Sequence, residues 1–77
     1  MARAYILFTI TPGTEDQVLK DAKLIDGVQE AYFSYGVYDL IMKVNAASME
    51  DLKQLVSYHI RTIANVRSTL TLLLAEE

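Results

Sequence analysis

Few side chains in this 77-residue chain can do chemistry, and their spacing narrows what that chemistry could be. Asp39 closes the segment Tyr35-Gly36-Val37-Tyr38-Asp39 and opens the apolar run Leu40-Ile41-Met42. A carboxylate at such a position is disfavoured unless it has a partner. Two readings stay open. In one, Gly36 makes a turn and Asp39 bonds nearby backbone. In the other, Asp39 receives a ligand ammonium, while turn N–H groups and hydroxyls such as those of Ser68 and Thr69 take the ligand's carboxylate.

The lone histidine, His59, could serve as a general base or a haem ligand. With no second histidine and no cysteine, a metal site built from protein alone is not expected, and a surface or half-buried structural place is the plainer reading. The carboxylate pairs Glu15/Asp16 and Glu50/Asp51 are adjacent at helix starts, where the macrodipole explains them without catalysis. Gly13, Gly27 and Gly36 stand too far apart for a phosphate loop. No catalytic residue, metal or cofactor is assigned.

Composition sets outer bounds. A 52% hydrophobic share against 22% charged residues describes a folding sequence of one domain, taken as residues 1–77. The net charge of −3, with 7 basic residues spread along the chain, argues against direct nucleic-acid binding. The absence of cysteine excludes disulfides and thiolate chemistry and fits a reducing cytoplasm. No apolar run approaches the ~20 residues of a membrane span.

These residues need elements to hold them. β-branched and aromatic residues predict a strand over 4–11, stopped by Pro12-Gly13. Thr14 with Gln17 reads as a capping box, and Val18, Leu19, Ala22 and Ile25 mark the apolar face of a helix ended by a left-handed Gly27. Strands follow over 28–35 and 38–44, joined as a hairpin. Ser48 caps a second helix of roughly four turns, marked by Met49, Leu52, Val56, Ile60 and Ile63, with Asn65 after its end. A last strand runs over 66–75. The order βαββαβ predicts an α+β fold, the ferredoxin-like sandwich, with both helices on one face of an antiparallel sheet.

Two helices cover one face only. Strand alternation assigns Val66, Leu70, Leu72 and Leu74 to the covered side. It leaves Tyr5, Leu7, Thr9, Tyr32, Ile41, Thr69, Thr71 and Leu73 on the open side. That open side is too apolar and aromatic for a solvated sheet face. We expect it to be an interface with a second copy about a two-fold axis, carried by Tyr5, Leu7, Thr9, Tyr32, Ile41 and Leu73.

The run Gly36-x-Tyr38-Asp39 with its apolar sequel, a capped helix, and then Asn65-Val66-Arg67-Ser68-Thr69-Leu70-Thr71 resembles the RAM effector domain of Lrp/AsnC transcriptional regulators. Pro12-Gly13 and Asp26-Gly27-Val28 fit that pattern as well, while Asn65 stands where the family often has Gly. The resemblance implies a dimeric α/β barrel that associates further, as an octamer or other ring. It also implies a free amino acid as effector, bound between dimers near Gly36, Tyr38, Asp39, Ser68, Thr69 and Thr71. At this length the chain would lack the DNA-reading half. It would act indirectly, including through contact with full-length relatives. A competing expectation is a small dimeric α/β-barrel enzyme of monooxygenase or isomerase type, with His59 as its working residue.

Overall fold

The computed structural model describes residues 1–74. The end of the expected last strand, Ala75, lies outside the described residues. The elements are β1 (Ala2–Ile10), α1 (Glu15–Lys23), β2 (Val28–Phe33), β3 (Leu40–Ala46), α2 (Met49–Gln54) continuing as a π-helical segment (Leu55–Ile60), and β4 (Val66–Leu73). The four strands form one antiparallel sheet in the order β2-β3-β1-β4, the ferredoxin-like arrangement. No helix is long and apolar enough to cross a membrane among the described residues.

Period-two alternation on β1 sends Ala4, Ile6 and Phe8 fully inward, against Leu40, Met42 and Val44 of β3. The helices close this core with Val18 and Ala22 of α1, Leu52 of α2, and Val56 and Ile60 of the π-helical segment. Burial of these side chains drives the fold, since no buried residue among those described is polar or charged.

The two helix starts carry the same signature but differ in structure. At α2 the Ser48 hydroxyl accepts the Asp51 N–H at 3.1 Å, as expected of a cap. At α1 the capping box is absent. Thr14 donates its hydroxyl to the Thr11 carbonyl at 2.6 Å, and Gln17 donates to Asp21 at 2.8 Å. The Pro12-Gly13 turn explains this, because it folds Thr14 back onto the Thr11 carbonyl, which accepts both its N–H at 3.2 Å and its hydroxyl. Gly27 also departs from its expected role. The helix ends at Lys23, and Gly27, with φ +98, comes later, where the chain presses against β3. A Cβ there would lie 2.9 Å from the Asn45 carbonyl oxygen and 3.0 Å from a Leu55 methyl.

The second helix is not α-helical throughout. Leu52, Val56 and Ile60 recur every four residues, a spacing that drifts ~40° per step around an α-helix. The wider π turn takes up that drift and keeps all three buried in one line.

A bulge corrects the expected face assignments on β4. Thr9 pairs with Ser68 but Ile10 pairs with Val66, so Arg67 is an extra residue. Beyond it every side chain changes sides. Thr69, Thr71 and Leu73 sit across from Phe8, Ile6 and Ala4 and therefore face the helices, while Leu70 and Leu72 face outward. Leu73 thus leaves the expected open-face set. The corrected open face carries an unbroken row across all four strands, Tyr32–Ile41–Leu7–Leu70, flanked by Glu30–Lys43–Tyr5–Leu72.

Candidate functional site at the end of the first strand

β1 reaches its last residues with Asp39 on one side and Ser68 on the other. The pairing of β1 with β3 ends at Phe8–Leu40, and Asp39 finishes it twice. Its N–H donates to the Phe8 carbonyl at 3.0 Å, and its carboxylate oxygen Oδ2 accepts the Ile10 N–H at 2.9 Å. The carboxylate stands where the next strand carbonyl would have been. For this reason β3 begins at Leu40 and not at Tyr38 as expected. The Asp39 carbonyl in turn accepts the Ser34 N–H at 2.8 Å, which closes the 34–39 loop.

Within that loop Gly36 has φ +125 with open space around it, so backbone conformation alone selects glycine there. Tyr35 is 100% exposed at the loop tip, and Tyr38 is half-buried. On the other side of β1, the Ser68 and Thr9 hydroxyls share a hydrogen bond of 2.6 Å. Ser68 and Asp39 are therefore separated by one strand, ~10 Å at the usual spacing.

The half-buried Asp39 opens onto a cleft of about 380 Å3 between the first turn of α1 and the end of β2, lined by Glu15, Asp16, Phe33, Ser34, Tyr35 and Asp39. Three of its six lining residues are acidic and none is basic, so the cleft favours a cation. Oδ2 of Asp39 is committed to Ile10, and Oδ1 carries no hydrogen bond among the described residues. Asp39 thus serves the backbone through one oxygen, and the other is left without a hydrogen-bond partner among the described residues.

The six residues expected to bind ligand are only partly gathered. Gly36 and Tyr38 shape the loop, and Asp39 and Ser68 flank the end of β1. Thr69 turns toward the helices, and Thr71 lies further along β4, in a separate groove beneath α2. Sequence reasoning missed Glu15, Asp16 and Phe33 as neighbours of Asp39. In the sequence the helix dipole accounts for Glu15 and Asp16, and only the packing of α1 on β2 brings them to the cleft.

His59 is exposed and lines a wide depression of about 630 Å3 with Asp26, Asp51 and Gln54. No three potential ligands group closely enough to hold a metal among the described residues. The space between sheet and helices is filled by Ile6, Phe8, Met42 and Ile60, each fully buried.

Comparison with known proteins shows the family of the fold. The Lrp/AsnC ligand binding domain matches residues 3–77. An uncharacterized HTH-type transcriptional regulator of Pyrococcus abyssi is 33% identical over 72 residues, covering 90% of this chain and 48% of the relative. The chain thus spans about half the length of the curated relatives it matches. Among solved structures, FFRP-DM1 is 35% identical with a TM-score of 0.93, covering 97% of this chain and 100% of that one. Escherichia coli AsnC is 26% identical with a TM-score of 0.91, covering 99% of this chain and 52% of AsnC. With a family match over nearly its whole length, the chain belongs to the Lrp/AsnC ligand-binding (RAM) domains.

Proposed function

We propose that this chain is a regulatory effector domain that assembles through its open sheet face and binds a free amino acid at the Asp39 end of β1. One observation carries the reading: Asp39 lines an acidic cleft and spends a single carboxylate oxygen on Ile10, while the other has no hydrogen bond among the described residues. An amino acid's ammonium fits that oxygen. Its carboxylate requires donors from elsewhere, which the Ser68 hydroxyl or a neighbouring copy would supply.

The apolar row Tyr32–Ile41–Leu7–Leu70 supports assembly, because association covers surface that a single chain leaves wet. We expect a dimer first and larger rings after it, in a cytoplasmic setting, with full-length relatives as further partners. The core between sheet and helices is filled by Ile6, Phe8, Met42 and Ile60, and the exposed His59 lies outside it, which favours a binding module over a barrel enzyme working through His59.

Calorimetric titration of the intact assembly with each protein amino acid is the test. At least one should bind, and Asp39→Asn should weaken it about tenfold or more through loss of a charge-assisted hydrogen bond. No binding by any amino acid, or equal binding to Asp39→Asn, would overturn the reading.

A further inference from the structure

A second depression, on the helix side of the sheet, has the opposite electrical character. It is a groove of about 220 Å3 between β4 and the α2–π helix, with Leu52, Val56 and Leu73 as its apolar walls. Lys53, Ser57 and Arg61 stand along it, and no carboxylate lines it. In a chain of net charge −3, that exclusion of acids is notable.

The π-helical segment explains why these three polar residues share one line. Lys53, Ser57 and Arg61 are four residues apart, and an α-helix would turn each ~40° further from the groove. The π turn, seen in the Arg61 N–H donating to the Val56 carbonyl at 2.9 Å, removes most of that drift. It therefore aligns two rows together, Leu52–Val56–Ile60 toward the core and Lys53–Ser57–Arg61 along the groove. Helix-end electrostatics account for cations near the last turns. They do not account for an apolar trough held between two of them.

We infer that this groove binds a small aliphatic monocarboxylate. The apolar walls would hold the aliphatic part, Lys53 or Arg61 would receive the carboxylate, and Ser57 would donate a further hydrogen bond. The volume equals about seven water molecules, which suits a ligand of about seven heavy atoms. Because the groove opens on the helix side, stacking of open sheet faces leaves it accessible. The site is independent of the Asp39 cleft.

The test is a titration of the full chain, in its native assembly, with 3-methylbutanoate, followed by methyl NMR. Saturable shifts are expected at Leu52, Val56 and Leu73. Lys53 and Arg61 are exposed, so Lys53→Met and Arg61→Met should fold normally, and the two substitutions combined should weaken binding at least tenfold. The alcohol 3-methylbutan-1-ol should bind at least tenfold more weakly, and 3-methylbutylammonium should cause no shift here. Equal affinity for the alcohol, unchanged affinity in the double variant, or carboxylate shifts confined to the Asp39 end would each overturn the inference. Amino-acid binding at the Asp39 cleft should be indifferent to the double variant, so either site can fail without the other.

Discussion

The Asp39 carboxylate holds the Ile10 N–H at 2.9 Å, a side chain doing the work of a strand carbonyl at the end of an interior strand. Asp39→Ala should leave that half-buried N–H without a partner and cost ~1–3 kcal/mol. Asp39→Asn retains an acceptor oxygen and should cost less than half as much. Denaturant unfolding of both variants checks the ranking. Equal losses would mean that the hydrogen bond contributes little.

This residue also marks how far the sequence could be read. A carboxylate opening an apolar strand announced that it needed a partner, but nothing in the residue order named Ile10, which lies 29 positions earlier. The βαββαβ order was legible because strand and helix periods differ and Pro12, Gly13 and Ser48 punctuate them. The β4 bulge was not. Arg67 is neither Gly nor Pro, and alternation reads straight through it. Since strand side chains have a period of two, that one residue reversed the faces of Thr69 through Leu73. The π turn did leave a trace, the four-residue spacing of Leu52, Val56 and Ile60, which the general expectation of a helix absorbed.

The glycines separate two causes of glycine selection. Gly13 and Gly36 need only a left-handed backbone, whereas Gly27 needs that and the space occupied by a missing Cβ. Gly13→Ala should cost ~1–2 kcal/mol. Gly27→Ala should cost more, ~2–4 kcal/mol once the clash with the Asn45 carbonyl is added to the backbone strain. Thermal unfolding should therefore place Gly27→Ala below Gly13→Ala by several degrees. The reverse order would contradict the close approach.

The two helix caps make a matched pair. Ser48→Ala removes a side-chain bond to the Asp51 N–H and should cost ~1 kcal/mol. Thr14→Ala removes only an exposed bond to the Thr11 carbonyl and should cost less, ~0.5 kcal/mol. Chemical denaturation of the two variants side by side distinguishes a working cap from a residue that merely has the right type.

Tyr32 supplies a pH dependence. Its hydroxyl donates to Glu30 at 2.8 Å, and that bond, followed by the charge of the same carboxylate, raises the phenol above its ordinary value of 10.0. Folding thus favours the protonated phenol. The stability it contributes is complete below the ordinary value and disappears as pH rises through the raised one. Phenolate absorbance should show one tyrosine titrating late, and Glu30→Ala should bring it back toward normal. Its failure to move would show that Glu30 is not the cause.

The corrected strand faces lead to a test of assembly that the uncorrected ones would get backwards. Leu70 lies across from Leu7 on the open face and is 42% exposed, while Leu73 lies across from Ala4 on the helix side. If copies stack sheet to sheet, Leu70→Lys places an ammonium in the middle of the apolar row Tyr32–Ile41–Leu7–Leu70, where a buried unpaired charge is strongly unfavourable. The particle should then fall toward a single chain of 8.7 kDa in light scattering. Leu73→Lys should leave the assembled mass unchanged, because its side chain points into the groove beneath α2. If Leu73→Lys dissociates the assembly and Leu70→Lys does not, the partner covers the helix side of β4. In that case the open face must be reassigned as a surface for some other use.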